Sequence, residues 1–127
     1  MSIFSKAELD YLAEGGHLGR LATVDETGLP HVVPVGWTYN PDLDTIDIGG
    51  RDAAEFIASR KFRNVAANPN AAFVVDDVLP PFRPRAVEVR GTAEAIYHHP
   101  AEAADAVFLI RLTPIKIASW GLATGTQ

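Results

Sequence analysis

The stretch "LGRLATVDETGLPHVVPVGWTY", residues 18–39, has the pattern of a β-hairpin. Residues 18–24 and 29–39 are two runs rich in Leu, Thr and Val. The turn sequence "DETG", residues 25–28, lies between them. Runs of this kind around a turn are typical of antiparallel strands. Pro30 and Pro34 lie in the second run, and proline cannot donate a hydrogen bond to a neighbouring strand. The second strand is therefore predicted to be an edge strand, or to be bulged at its prolines.

Further elements are predicted on both sides of this hairpin. Ser5 and Glu8 have capping-box spacing at the start of a short helix that ends at Gly15–Gly16. In the helical region 51–69, Ser59 is a second N-cap candidate, so a break is expected there. Further strands are predicted at 45–50, 71–77, 86–96 and within 108–122, where Pro114 is expected to break the strand. A proline-stiffened loop is predicted at 78–85 and a weak helical stretch at 98–106.

These elements predict a mainly β fold. The chain has 127 residues, which suits a single domain spanning residues 1–127. About six short strands with a few short helices favour a small closed or partly closed β-barrel.

The composition narrows the classes of function. The formal net charge is −5, whereas nucleic-acid phosphates bind broad basic surfaces, so nucleic acid is not an expected partner. The sequence has no cysteine, which excludes disulfides and thiolate metal sites. No apolar run reaches the ~20 residues of a membrane helix. The N-terminal residues lack the pattern of a signal peptide, so we expect a soluble, cytoplasmic protein with no membrane partner.

A basic cluster stands out against this acidic composition. Arg60, Lys61 and Arg63 follow Ser59, the candidate N-cap. Positive charge in a first helical turn opposes the helix dipole, so local stability does not explain the placement. A bound phosphate does, because it accepts hydrogen bonds from free backbone N–H groups, from a serine hydroxyl and from basic side chains. The pattern favours an anion site over a solvated surface, although no glycine-rich phosphate loop accompanies it.

Other candidate residues carry weaker signals. His98 and His99 are adjacent, but no third ligand stands at a useful spacing, so we expect a surface pair and no metal site. No serine, histidine and acid arrangement and no pair of carboxylates has the spacing of a catalytic centre. If the protein is an enzyme, a bound cofactor is expected to carry out the chemistry.

Four segments, in this order, resemble a known family: "LGRLATVDETGLPHVVPV", "SRKFRNVAANPNAAFVVDD", "VEVRGTAEAI" and "IRLTPIKIASWGL". Together they cover most of the chain from residue 18 onward. The sequence resembles the pyridoxamine 5'-phosphate oxidase-like split β-barrel family, and most closely its small members, the PPOX class F420-dependent oxidoreductases. The resemblance implies an FMN-binding split barrel of Greek-key topology and a homodimer with two cofactor sites across the interface.

The resemblance also implies roles for individual residues. Ser59, Arg60 and Lys61 match the element that grips the ribityl phosphate of a flavin or deazaflavin, and Arg63 shares the helix face of Arg60. The strand after the hairpin turn would run beside the ring system with its main-chain groups, through His31, Val32, Val33, Pro34 and Val35.

The C-terminal segment resembles one in which a tryptophan approaches the cofactor, often from the partner subunit. Trp120 is that tryptophan here, and the matching positions around it are Arg111, Pro114, Ile117 and Gly121. The flavin-using oxidases carry an arginine and a lysine where this chain has His31 and Gly36. This departure disfavours pyridoxamine phosphate oxidation and tightly held FMN, and it agrees with the deazaflavin branch.

The resulting hypothesis is an oxidoreductase that uses coenzyme F420, or alternatively FMN. Reduced F420 would pass a hydride to a small, planar, electron-poor acceptor, with the protein providing orientation and exclusion of water. His31 is a possible proton donor to the product, because histidine exchanges protons near neutral pH. It is equally well interpreted as a hydrogen-bonding partner of a neighbouring strand. Two alternatives stay open: an FMN-binding reductase of the same fold, and a non-catalytic protein that binds a flavin, a deazaflavin or haem.

Overall fold

The computed structural model describes residues 1–98 and 107–122, which form three helices and one seven-stranded sheet. In chain order the elements are α1 Lys6–Glu14, β1 Gly19–Val24, β2 Pro30–Val35, β3 Trp37–Asn40, β4 Thr45–Ile48, α2 Ala53–Ala58, α3 Arg60–Ala67, β5 Asn70–Leu79, β6 Arg83–His98 and β7 Val107–Trp120. The fold is mainly β, as predicted, with seven strands in the described residues where about six were expected. No helix in this part of the chain is long and apolar enough to cross a membrane.

The sheet has the order β2-β1-β5-β6-β7-β4-β3, and every neighbouring pair is antiparallel. It curls into a half-barrel around one apolar core. The largest fully buried side chains in this core are Phe73, Leu21, Ile46, Ile48, Ile110 and Leu112. These residues come from four strands, β1, β4, β5 and β7, so burial of this core holds the two halves of the sheet together.

The predicted capping box of α1 is confirmed. The Ser5 hydroxyl accepts a hydrogen bond from the Glu8 amide at 3.2 Å, and the Glu8 carboxylate accepts one from the Ser5 amide at 2.8 Å. The second carboxylate oxygen of Glu8 accepts a hydrogen bond from the Ser119 hydroxyl. Glu8 therefore fixes the start of α1 and also ties this helix to the end of β7.

The predicted break at Ser59 is confirmed as well. Ser59 ends α2 and starts α3, with its hydroxyl donating to the Phe56 carbonyl at 2.6 Å and accepting from the Phe62 amide at 3.4 Å. Helical spacing predicts that Phe62, Val65 and Ala66 face the core. Val65 is buried and Phe62 is half-buried, but Ala66 is exposed, so the prediction is wrong at Ala66.

Asn64 takes the buried position on α3 that was assigned to Ala66. Its amide group donates to the hydroxyl of Thr23 on β1 at 3.1 Å, and both residues are buried. A buried amide is tolerated because it is hydrogen-bonded. This bond fixes α3 against β1.

Both prolines of the predicted hairpin lie on an edge strand, as expected. β1 and β2 pair from Gly19↔Val35 to Val24↔Pro30, and β2 is the first strand of the sheet. The second run of the hairpin divides at Gly36, however, and β3 lies at the opposite end of the sheet order. The chain therefore crosses from one edge of the half-barrel to the other at Gly36.

The predicted proline-stiffened loop at 78–85 is wrong. β5 continues to Leu79 and β6 begins at Arg83, so only a short turn separates them. Pro84 pairs with Val78, while β7 pairs with β6 only from Ala86 onward. Within the described residues Pro84 thus pairs with β5 alone, which is the edge-type position where proline is tolerated.

The predicted break at Pro114 is a bulge within one strand. On β6, Arg90 pairs with Lys116 of β7, but the next residue, Gly91, pairs with Pro114. Ile115 is therefore the extra residue of the bulge. A Cβ at Gly91 would lie 2.0 Å from the Thr113 carbonyl oxygen. Glycine therefore permits the close backbone approach that the bulge requires.

The weak helical stretch was predicted at 98–106. His98 is instead the exposed last residue of β6, and positions 99–106, His99 included, lie outside the described residues.

Candidate functional site

A cleft of about 960 Å³ opens beside Gly36, where the chain leaves β2 for β3. One wall is the crossing segment Pro34–Thr38, and the opposite wall is the Gly49–Arg51 loop that follows β4. Lys61, from the first turn of α3, closes one end. The rest of the lining is Leu18, Asp47, Phe108 and Leu109. The volume lies within the range of small-molecule and cofactor sites.

A smaller pocket of about 160 Å³ adjoins this cleft at the start of α3. Gly49, Gly50, Arg51 and Lys61 line both cavities, and Ser59 lines the smaller one. The predicted anion-binding end of α3 is thus open, and it communicates with the cleft beside β2.

Lys61 is held at the boundary between the two cavities. Its ammonium group lies 5.2 Å from the ring centroid of Phe56, which is a cation–π contact with a buried ring. A Cβ at Gly50 would lie 2.7 Å from the same ring, so glycine lets the loop lie close to it. Phe56 therefore brings the loop and the lysine together.

The charges around Lys61 are mixed. Asp52 and Glu55 line the smaller pocket together with Arg51. Asp47 in the larger cleft forms an ion pair with Arg111, with 3.0 Å between the guanidinium nitrogen Nη2 and the carboxylate oxygen Oδ2. Within the described ranges, neither Arg51 nor Lys61 forms an ion pair. The positive charges of Arg51 and Lys61 therefore remain available to an anion.

The structure separates the members of the basic cluster. Arg60 and Arg63 are exposed and line neither cavity. Hydrogen bonds from Thr27 and Leu29 lower the pKa of Asp25, and the charge of Arg60 adds a smaller lowering effect, so Arg60 faces the β1–β2 turn. Consecutive helical residues point about 100° apart, which is why adjacent Arg60 and Lys61 serve different surfaces.

The side chains of β2 alternate between the two faces of the sheet. His31, Val33 and Val35 share the face of the buried residues, while Val32 and Pro34 point to the opposite face. Of these five predicted contacts, Pro34 and Val35 line the cleft.

The backbone of β2 offers hydrogen-bonding groups along the free edge of the sheet. The Asp25 amide donates to the Leu29 carbonyl at 3.1 Å, which continues the β1–β2 register into the turn. Because hydrogen-bonded pairs alternate in an antiparallel ladder, the backbone groups of Pro30, Val32 and Pro34 point away from β1. Proline has no N–H, so Val32 supplies the one outward donor among these three residues.

His31 lies deeper than the cleft. It is paired in register with the buried Thr23, and its Nδ1 atom is buried without a hydrogen-bond partner in the described part of the chain. It does not line the cleft. A buried polar atom without a hydrogen-bond partner is uncommon in folded proteins.

Trp120 does not line the cleft of its own chain. It ends β7, whereas Leu109 near the start of this strand lines the cleft. Eleven strand residues correspond to a contour length of about 35 Å. The Trp120 side chain is half exposed, on the sheet face opposite the core.

The sequence analysis did not identify several residues of the cleft. Arg51 adds a positive charge to the cleft, and Trp37 is its largest aromatic ring. Phe108 and Leu109 form an apolar wall. The Gly49–Gly50 pair directly before Arg51 was a signal that could have been used, since paired glycines let a backbone approach a ligand closely. Phe108 and Leu109 have no such signal, because only the pairing of β7 with β4 brings them to the cleft.

Comparison with known proteins identifies the family. A sequence model described as "Pyridoxamine 5'-phosphate oxidase" matches residues 5–112. The chain belongs to the pyridoxamine 5'-phosphate oxidase family. A 5a,11a-dehydrotetracycline/5a,11a-dehydrooxytetracycline reductase from Streptomyces rimosus is 45% identical over 123 residues, covering 94% of this chain and 84% of the reductase. This similarity makes the chain an oxidoreductase-type member of the pyridoxamine 5'-phosphate oxidase family.

Solved structures of other proteins share the fold. A FAD-binding protein from Mycobacterium smegmatis superposes with a TM-score of 0.65 at 22% identity, covering 94% of this chain and 97% of that one. An F420 reductase superposes with a TM-score of 0.62 at 24% identity, covering 86% and 94%. The predicted split β-barrel fold is confirmed by these likenesses.

Proposed function

We propose that this protein is a coenzyme F420-dependent reductase that reduces a planar, electron-poor acceptor. One observation carries the proposal: Lys61 lines both the small pocket at the start of α3 and the large cleft beside β2. A cofactor with an anionic tail and a flat ring system needs these two environments next to each other. Reduced F420 would supply a hydride in this arrangement.

The residues present fit such a cofactor in three respects. Lys61 and Arg51 provide positive charge for a phosphate, and the first turn of α3 provides backbone N–H groups. The Ser59 hydroxyl donates within the protein, so it is expected to contribute as a helix cap. The outward amide of Val32 and the carbonyls of Pro30 and Pro34 form an edge to which the polar rim of a ring system can hydrogen-bond.

The protein's own contribution would be placement and exclusion of water. Leu18, Trp37, Phe108 and Leu109 give the cleft an apolar lining, which strengthens the electrostatic interactions inside it. His31 is proposed as the proton donor. Since its Nδ1 is buried and unpartnered within the described residues, a proton would have to pass through water or through a small shift of β2.

The similar reductase from Streptomyces rimosus acts on dehydrotetracyclines, according to its name. We therefore include polycyclic molecules with a conjugated double bond among the proposed acceptors. The proposal extends to a homodimer in the cytoplasm. Trp120 does not line the cleft of its own chain, and it would instead reach the cleft of a second copy.

The test is a titration of the purified protein with F420 and, in parallel, with FMN, followed by calorimetry. We expect saturable binding of F420 and weaker binding of FMN. Mixing with reduced F420 and a panel of quinones, nitroaromatics and tetrapyrroles should then oxidise the cofactor. Tight FMN binding in the purified protein would favour the FMN-dependent alternative, and binding without turnover would favour a non-catalytic carrier.

A further inference from the structure

Three cavities lie in a row along one side of the half-barrel. The small pocket at α3 and the cleft share Gly49, Gly50, Arg51 and Lys61. At its other end, the cleft shares Trp37 and Thr38 with a third cavity of about 600 Å³ between α1 and β3. We call this third cavity the α1–β3 chamber; its lining is Leu9, Asp10, Leu12, Ala13, Gly15, Gly16, His17, Trp37, Thr38, Tyr39 and Pro41.

Trp37 is a fixed wall between the cleft and the α1–β3 chamber. Its indole N–H donates to the His17 carbonyl at 2.9 Å, and its ring contacts Phe73 edge to face with centroids 5.4 Å apart. A Cβ at Gly19 would lie 2.2 Å from the Phe73 ring and 3.1 Å from the indole, so glycine is required beneath this pair. The hydrogen bond and the packing hold the indole in one orientation.

The α1–β3 chamber differs in chemistry from the opposite end of the row. Its walls are mostly aliphatic and aromatic, from Leu9, Leu12 and Tyr39. Its carboxylate, Asp10, forms an ion pair with Lys6 at 2.9 Å. Gly15 and Gly16 have positive φ angles and open space where a Cβ would stand, so their backbone borders the chamber without filling it. An uncharged, flat and apolar molecule suits this lining, whereas an anion suits the Lys61 end.

We propose that the α1–β3 chamber holds the remote rings of a polycyclic acceptor, and that Trp37 is the specificity-determining residue over which this acceptor lies. The inference rests on the proposed function, since it names the acceptor class of the same site. The acceptor's reactive ring would lie in the cleft and its other rings in the chamber. Molecules with four fused rings would then bind better than molecules with two.

Binding to the cofactor-free protein tests this arrangement without requiring turnover. The probes are 1,4-naphthoquinone, with two fused rings, and 5,12-naphthacenequinone, with four, both measured by calorimetry. Ala13 is exposed on α1 and lines the chamber, so Ala13→Phe fills the chamber while leaving the cleft unchanged. Ala67→Phe makes the same substitution at an exposed position of α3 that lines neither cavity, and it serves as the control.

We expect Ala13→Phe to weaken binding of the four-ring quinone about tenfold, which corresponds to 1.4 kcal/mol, and to leave the two-ring quinone almost unchanged. Ala67→Phe should change neither. Equal affinity of parent and Ala13→Phe for the four-ring quinone would overturn the proposal, as would a parent protein that binds the two quinones equally.

A second measurement locates the probe independently of stability effects. The sequence contains two tryptophans, so a Trp120→Phe variant leaves Trp37 as the single indole fluorophore. The four-ring quinone should quench the Trp37 fluorescence saturably, with the dissociation constant that calorimetry gives for the same Trp120→Phe variant. Unquenched fluorescence at saturating quinone would contradict the placement over Trp37. Failure to bind F420 would instead remove the proposed function and leave both quinone measurements valid.

Discussion

The Arg111 guanidinium on β7 forms a two-pronged ion pair with the Asp47 carboxylate on β4, Nε to Oδ1 at 3.1 Å and Nη2 to Oδ2 at 3.0 Å. Asn40 and Thr45 donate to the same carboxylate at 3.1 and 2.9 Å. Asp47 lines the cleft, and β4 pairs with β7 in this region. Arg111 matched a cofactor-associated segment in the sequence, and in this chain it neutralises a carboxylate in the cleft wall.

Removing this arginine should destabilise the fold. Arg111→Met keeps the length of the side chain and leaves the partly buried Asp47 without its charged partner. We expect the free energy of unfolding to fall by about 1–3 kcal/mol, which is typical when a partly buried charged group loses its partner. Urea denaturation followed by circular dichroism measures the change.

Arg20→Met is the matched control for this prediction. Arg20 pairs with Asp76 at 2.7 Å, but both side chains are about half exposed. Exposed ion pairs contribute less than about 1 kcal/mol. A loss as large at Arg20 as at Arg111 would show that burial of the Asp47 pair is not what matters.

Stability should also depend on pH through Asp47. Burial raises the pKa of its carboxyl, but hydrogen bonds from Arg111, Asn40 and Thr45 outweigh burial and hold the pKa below its ordinary value. A carboxyl with a lowered pKa in the folded state stabilises the protein above the unfolded pKa of about 3.9, and this contribution is lost as the pH falls below it.

The comparison of Asp47→Asn with the parent checks this linkage. We expect the free energy of unfolding of the parent to fall more steeply than that of Asp47→Asn between about pH 4 and pH 2. Parallel curves for parent and Asp47→Asn would contradict the assignment.

Much of the fold follows from local sequence signals. Ser5 and Ser59 were identifiable as N-caps, and Pro30 and Pro34 as residues of an edge strand, because each rule depends on nearby backbone groups alone. The strand through Pro84 was not predictable, because the described residues pair Pro84 with β5 alone and the pairing of β6 with β7 starts only at Ala86. That fact belongs to the sheet topology, which no local pattern contains.

The candidate site was predictable to a similar extent. Lys61 and Ser59 were identified from the helix start, and Pro34 and Val35 from the strand. Arg51, Phe108 and Leu109 were not, because they reach the cleft through contacts between distant segments. The sequence also placed Arg60, Lys61 and Arg63 in one group, and only the orientation of α3 separates them.

Charge reversal at Lys61 tests the anion-binding end of the site. Charge-assisted hydrogen bonds to phosphate contribute roughly 1.5–3 kcal/mol each, so Lys61→Glu should weaken F420 binding by at least about tenfold. Calorimetry measures the dissociation constant. Lys6→Glu is the control, because Lys6 is exposed in the first turn of α1, where a negative charge suits the helix dipole. Equal binding by Lys61→Glu and the parent would refute the phosphate assignment.

Replacement of His31 separates its two interpretations. If His31 donates a proton to the product, His31→Asn should lower kcat about 10²–10⁴-fold while F420 affinity stays within twofold. If His31 only packs beneath β2, the melting temperature falls instead and kcat at a permissive temperature is retained.

A substitution on the outer face of the sheet tests the proposed homodimer. Ala22, Ala72 and Ile115 border an open apolar groove of about 380 Å³ on this face, and Val74 lies on the same face of the central strand β5. Trp120 also points to this face, at the end of β7.

A charge in the middle of this surface should prevent association, because burying an unpaired carboxylate is costly. We expect Val74→Glu to elute as a monomer at micromolar concentration, with its mass measured by light scattering, and to lose F420 turnover because the partner's Trp120 no longer reaches the cleft. Leu43→Glu, in the exposed loop after β3, should remain dimeric. A parent protein that is monomeric at the same concentration, yet reduces acceptors, would show that the cleft of one chain is sufficient.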